Sequence, residues 1–543
     1  MEIEKKFDPS KLTLEEILYF AFFITLSVTK GLGFYEWQKM FILLIIPAFF
    51  FGLLKIFMTK YSKRQWAFLL IMLLLTGIVF YESGEVGILF VMLAILGMKG
   101  ISLDKVFRLG LWVWIVCSIV LSIFSFFRLE HTVYRVNDKF HLGYVIRWSL
   151  GFTHPNILHI TYFALCAFIL YELADRYYFR HFLLLMLGNV LVFVYSLSYT
   201  GFGMVTILLI GGLYVNVRPK FSLFEKVLAN LVLPFILLIS FILPLLFSAS
   251  LFTEVMEKLN LLFNTRIRIA SLFLVPEGMS LFGVRMSRLS DIYPYASIDN
   301  SYIWAFIHYG AIPFVLFVLA YLILIIDYSK MQKTRELVLI ICFLGTGFME
   351  PLLFNTSFKN VTLLFLGEFL FRQKEGEEEY YLFPVLRSKM EGLVFACLDK
   401  VKVMECIELI AALPSRFGVI WKTCRKKILT GIATGALLGV ILCGICYRPP
   451  KGYIVPRSYT DWLDKGFICL ESADDPAYEG YRVMNYRDSE TPMQIVEGRA
   501  VDIETARYYL GSVLIGGFAG CLVCACIMFE RNKENNEIDS VDK

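Results

Sequence analysis

The chain has 543 residues, of which 58% are hydrophobic and only 18% charged, and Phe occurs 50 times. Soluble domains carry roughly 25% charge, so this composition excludes a soluble enzyme, a secreted disulfide scaffold and a disordered tail protein, and leaves a polytopic membrane protein. The net charge of +5, from 52 basic and 47 acidic residues, shows no basic excess that would point to nucleic acid.

A bilayer core needs about 20 mostly apolar residues per helix. Runs of that kind predict an all-α polytopic membrane protein with about 12 transmembrane helices within residues 1–372, the run at 86–98 being the shortest. The first span follows a charged, polar stretch without a small-residue cleavage site, so it is expected to be retained. Basic residues set the orientation. Alternate short loops hold Lys60, Lys63 and Arg64, or Arg218, Lys220 and Lys226, whereas the short loops between them hold Lys30, Lys39 and Lys359. This asymmetry predicts a cytoplasmic (plasma) membrane protein, multi-pass, with N-terminus and C-terminus inside. Two outer loops are long, near 128–154 and 249–301.

Further along, 373–428 reads as a charged, amphipathic cytoplasmic linker that opens on Glu377, Glu378 and Glu379. Region 429–529 reads as two transmembrane helices flanking the extracellular segment 448–507, which is small for an independent catalytic domain and reads as an accessory module. Residues 530–543 form a cytoplasmic polar tail. Most of the 12 Cys fall inside spans, so no disulfide framework follows. Cys521, Cys524 and Cys526 read as apolar helix packing rather than a metal site.

Charge inside a membrane is tolerated only for a reason, and the span centres are almost free of it. Lys55, Glu172, Asp175, Asp327 and Glu368 fall near inner ends, where they can reach water, which argues against an ion-coupled transporter. Polar chemistry gathers instead on the outer side, where five of the six histidines fall, together with arginines that include Arg147, Arg266, Arg268 and Arg285. Arginine donates bidentate hydrogen bonds and stays charged, which suits a bound phosphate.

Three clusters stand out. The first is Arg147-Trp-Ser-Leu-Gly151-Phe152-Thr153-His154-Pro155-Asn156. Pro155 suits the first turn of a helix, and a helix N-terminus beside Arg147 makes an anion site. The second is Asn264-Thr265-Arg266-Ile267-Arg268. Its two arginines would diverge on a helix and share a face on an extended segment. The third is Asp299-Asn300-Ser301-Tyr302, with His308 two helical turns beyond Ser301. Each also has a plain structural reading: a capped helix start, arginines meeting lipid headgroups, and an N-cap followed by a helix-packing histidine.

The string Arg147…Leu150-Gly151-Phe152…His154-Pro155-Asn156 resembles the signature of the O-antigen polymerase and ligase-like superfamily, in its Gram-positive capsule and exopolysaccharide polymerase branch. Asn264-Thr265-Arg266-Ile267 is similar to that branch's Thr-Gly-Arg segment, without the Gly. Asp299-Asn300-Ser301-Tyr302…Tyr309-Gly310 is similar to its motif before a late span. In Tyr195-Ser196-Leu197-Ser198-Tyr199-Thr200-Gly201, Tyr199 stands where the family carries Arg. The resemblance covers about 1–372. It implies a glycosyltransferase that uses a polyprenyl-diphosphate-linked oligosaccharide as donor and acceptor at the outer leaflet of the lipid bilayer, with a chain-length regulator and a flippase as accompanying partners.

The residues suit that chemistry. Arg147, Arg266 and Arg268 are candidates to hold the diphosphate leaving group. His154, or His308, is a candidate base for the incoming hydroxyl. Asn156, Asp299 and Asn300 are candidate substrate-binding groups. No acidic pair in the outer loops has Asp-x-Asp spacing, so a metal-independent reaction with no cofactor is expected. A ligase that passes the glycan to another acceptor would use the same arginines. A lipid-linked glycan flippase would need a polar cavity reaching the inner face.

Overall fold

Hydroxyl and amide side chains start many of the helices. Thr13 and Glu16 close a capping box that opens α1 (Leu14–Gly31), and Ser62 with Gln65 does the same for α3 (Lys63–Ser83). Between them runs α2 (Lys39–Phe57). The computed structural model describes residues 12–36, 38–127, 134–138, 144–277, 279–285, 298–372, 378–400, 403–456 and 467–541. His131, His141 and Arg288, in loops expected to be outer, lie outside them.

The run at 86–98 forms the ten-residue α4 (Gly87–Leu96), too short to cross a bilayer and almost wholly buried. The chain continues through α5 (Leu103–Phe127), the antiparallel pair β1 (Tyr134–Asp138) and β2 (Tyr144–Trp148), and α6 (Pro155–Leu173). Then come α7 (Phe179–Ser196), α8 (Tyr199–Val217) and α9 (Leu223–Ser248). Two short helices follow, α10 (Thr253–Leu262) and α11 (Arg266–Glu277), where the sequence predicts only an outer loop. The apolar run at 302–326, expected to be one span, is split into α12 (Ser301–Tyr309) and α13 (Ala311–Lys330). Gly310, with φ +84° and Gly283 pressed against it, makes the break, since a Cβ there would collide with backbone. The helical body ends with α14 (Thr334–Met349) and α15 (Thr362–Leu370).

Among the described residues, ten helices are long and apolar enough to cross a membrane, and the chain is a mostly helical, multi-pass membrane protein. Large apolar side chains such as Leu43, Leu74, Phe235 and Leu319 remain exposed on their outer surfaces, as lipid-facing positions require. The body has two polar ends. Helices α1, α7 and α14 finish at one end, where α6, α8, α11 and α12 begin. At the opposite end, Arg108 pairs with Glu172 at 2.9 Å, Arg372 with Asp327 at 2.7 Å, and Arg335 with Asp175. The carboxylates expected near inner span ends are thus ion-paired. Lys55 differs from the expected snorkelling residue: it is fully buried and donates to the Lys99 carbonyl.

The tail starts with α16 (Pro384–Lys400) and α17 (Val403–Cys446), the latter kinked at Cys424. Next is a three-stranded sheet with β3 (Gly452–Pro456) at its centre, parallel to β4 (Tyr481–Val483) and antiparallel to β5 (Met493–Glu497). The last element is α18 (Arg499–Val541). Gly431, Gly435 and Gly439 on α17 meet Gly520, Gly516 and Ser512 on α18 backbone to backbone, the small-residue packing that suits helices in lipid. The tail is fastened to the helical body. Trp148 Nε1 donates to Glu504 Oε2 at 2.6 Å, Arg507 Nη1 donates to the Ile146 carbonyl, and Tyr195 donates to the Arg507 carbonyl at 2.8 Å.

Candidate functional site

Arg147 lies on β2 between Ile146 and Trp148, the two residues that α18 grips. The chain then turns sharply through Leu150 and Gly151, both with positive φ. A Cβ at Gly151 would strike Ser125 and Leu121, so only glycine lets this turn sit against α5. His154 caps α6: its Nδ1 accepts from the Asn156 backbone N–H at 3.1 Å, and Pro155 occupies the first helical position. The turn brings Asn156 beneath Arg147, whose Nη2 donates to Asn156 Oδ1 at 2.8 Å. Arg147 Nε donates to the Ser196 carbonyl at 2.8 Å.

Asn156 passes the link onward. Its Nδ2 donates to Glu350 Oε1 at 3.2 Å. Glu350 is the first residue beyond α14 and is 7% exposed. Arg266 Nη2 donates to the same oxygen at 2.9 Å, its Nε donates to Asp299 Oδ2 at 3.1 Å, and its Nη1 donates to Thr200 Oγ1 at 3.3 Å. Next to Asp299, Asn300 caps α12 and donates to Ser240 Oγ at 3.0 Å, while Ser301 Oγ donates to the Glu350 carbonyl at 2.6 Å. Residues 147–156, 196–200, 266, 299–301 and 350, far apart in the chain, therefore form one buried network.

The structure thus brings Arg147, Asn156, Arg266, Asp299 and Asn300 together. It does not bring in Arg268, which lies two residues further along α11, so its side chain turns out to the surface. Nor does it bring in His308, which is buried but contacts Glu85 at 3.1 Å and stacks on Trp304. Arg285 donates to the Tyr81 carbonyl. His154 sits beside the network with its Nδ1 lone pair engaged as the cap. A neutral imidazole has one such lone pair, so in this geometry His154 acts as a cap and is not poised as a base.

Glu350 is the central residue that the sequence reading missed. Asn156 and Arg266 both donate to Oε1 of its carboxylate, and no described residue donates to Oε2. Burial pushes its carboxyl above the usual carboxylate range, while Arg266 pulls it back. Burial pulls the Arg266 guanidinium down, but Glu350 and then Asp299 outweigh it, so Arg266 ends above its ordinary value. The signal for Glu350 was in the sequence: a carboxylate at the end of an apolar run, followed by Pro351, with no basic residue beside it in the chain.

Beside Arg266 a small crevice is lined by Leu243, Pro244, Phe263, Ala270 and Phe348, with a cavity volume of about 20 Å³. That is room for about one water, far below the roughly 300–1,000 Å³ of a ligand pocket. The arrangement can hold an anion on two guanidinium groups and accept a proton at Glu350 Oε2. In comparisons with known proteins, the chain matches no family model, no curated protein and no solved structure.

Proposed function

We propose that the protein is a polysaccharide polymerase, a metal-independent membrane glycosyltransferase that joins polyprenyl-diphosphate-linked oligosaccharide repeat units on the outer face of the cytoplasmic membrane. Its fold is a body of transmembrane helices followed by the two of the tail, with both termini inside. One observation carries the reading: Arg147, Asn156, Glu350, Arg266 and Asp299 form one buried network, which gathers two guanidinium groups around a carboxylate.

Arg147 and Arg266 face the diphosphate. The acceptor sugar hydroxyl gives its proton to Glu350 Oε2. A glycosidic bond forms at the donor's anomeric carbon, the bond from that carbon to the diphosphate oxygen breaks, and the electron pair leaves on the diphosphate. Charge develops on that oxygen in a water-poor site whose guanidinium groups are already held in place. Removing one such donor typically costs about 10²–10³ in rate. Asn156, Asp299 and Asn300 hold the arginines and Glu350 in register.

A strain lacking the protein tests the reading. Single repeat units left on lipid at the outer leaflet support polymerisation. Long polymer left on lipid would instead indicate a ligase, and repeat units held on the inner leaflet would indicate a flippase. Arg147→Ala and Arg266→Ala should reproduce the deletion at normal protein abundance, and full-length polymer in both variants would refute the reading.

A further inference from the structure

A second cationic centre lies beside this network. Lys30 closes the last turn of α1, and Lys359 lies in the loop between α14 and α15, nine residues beyond Glu350. Both are buried, at 9% and 3% exposure. No described residue gives either ammonium a hydrogen bond or an ion pair. They lie only against rings: Lys30 Nζ is 4.5 Å from the Phe41 centroid and 6.0 Å from that of Phe358, and Lys359 Nζ is 5.8 Å from that of Phe152.

Phe152 belongs to the turn that carries Arg147 to Asn156, and Gly33 packs against the Gly151 carbonyl, so this centre adjoins the arginine network. The charged group that acts on Lys30 is Glu36, which is exposed and hydrogen-bonded to Thr356. Burial, with Lys30 adding to it, pulls the Lys359 ammonium down to about 7. Two buried ammonium groups that repel each other and form no ion pair with a described residue are costly in a folded chain, and a polyanion removes that cost. An aromatic floor leaves the amine hydrogens available to such a ligand.

We propose that Lys30 and Lys359 form a second diphosphate site, which holds the lipid diphosphate of the acceptor while Arg147 and Arg266 hold that of the donor. This rests on the polymerase reading, in which both substrates are lipid diphosphates. A ligase passing its glycan to another acceptor would need one such site. The distinction is therefore built into the number of cationic centres.

The test is native mass spectrometry of the full chain in phosphatidylcholine nanodiscs, titrated with a polyprenyl diphosphate. The expected result is two bound per chain in the unaltered protein, one in Lys30→Met/Lys359→Met, and one in Arg266→Met. Lys359→Arg, which keeps the charge, should restore two. One bound per chain in the unaltered protein, two in the double Met variant, or loss of the second ligand in Lys359→Arg as well as Lys359→Met would each overturn the proposal.

Two further arms separate sources of phosphate. Inorganic pyrophosphate should compete for both sites. Phosphatidylglycerol should compete for neither, and its capture by the lysine pair in preference to the polyprenyl diphosphate would overturn the assignment. If two lipids bind as described but no polymer is ever made, the transferase reading fails and this site stands. If the lysine variants polymerise normally and still bind two, this site fails and the transferase reading stands.

Discussion

The two polar ends of the helical body use charge in opposite ways. At one end acids are matched by bases at short range: Arg108 with Glu172, Arg372 with both Asp327 and Glu368, and Lys105 with Glu16. Arg108 and Arg372 are a third or more exposed, so their pairs are screened and contribute roughly 0–1 kcal/mol each. At the other end, Arg266 and Glu350 are each 9% exposed and share their bonds with Arg147's partner Asn156, Asp299 and Thr200. Removing one partner of a buried pair costs about 3–5 kcal/mol, and replacing both by apolar residues is often neutral. The first end spends its charge on holding helices together. The second carries more buried charge than packing needs, which is the pattern of a functional site.

That contrast can be broken most sharply at Arg266 and Glu350. Arg266→Ala and Glu350→Ala should each lower polymer formation by about 10²–10³ and lower the thermal midpoint. The double variant Arg266→Met/Glu350→Met should regain the midpoint but not the polymer, a separation that detergent melting and glycan gels read directly. If the double variant regains both, the pair is structural. Because burial raises the Glu350 carboxyl, the acidic limb of the pH–rate profile should lie above the usual carboxylate range. It loses activity as pH falls, since the protonated acid cannot take a proton.

Arg147→Lys comes next. It keeps the charge but loses the planar fork that spans Ser196 and Asn156, so polymer should fall nearly as far as in Arg147→Ala. Trp148→Phe removes the hydrogen bond from β2 to Glu504. The loss of a hydrogen bond to a charged group should cost about 1.5–3 kcal/mol in stability and loosen the strand that carries Arg147. His154→Ser keeps a helix cap without an imidazole, so it should retain most of the polymer. The smallest effect belongs to the other end, where Arg372→Ala should leave polymer unchanged.

Much of the site was legible in the sequence because its residues stand at the ends of apolar runs, where polar groups are conspicuous. Arg147, Asn156, Arg266 and Asp299 were found in this way, and the structure places them in one network. Glu350 was not, because an acid at the end of a span also reads as a residue reaching for water. Only the fold shows that Asn156 and Arg266 meet it. Arg268 was grouped with Arg266 because local sequence does not decide between helix and extended chain, and α11 turns the two apart. His308, read with the third cluster, instead meets Glu85, from a distant loop.

The helical architecture was readable from hydropathy, and the strands were not. β1 and β2 are five residues each, inside a loop, and Val145-Ile146 interrupts the alternation that marks a half-buried strand. The grip of α18 on β2 was equally hidden, since Glu504 and Arg507 lie over 350 residues from the strand they hold.

The central claim is that Glu350 takes the proton at a site whose arginines hold a lipid diphosphate. Glu350→Gln tests it most directly, because the amide keeps the shape of the site and an acceptor for Asn156 and Arg266. Lipid-linked glycans extracted from cells carrying that variant should consist of single repeat units, with normal amounts of the protein in the membrane. Full-length polymer from Glu350→Gln would contradict the account.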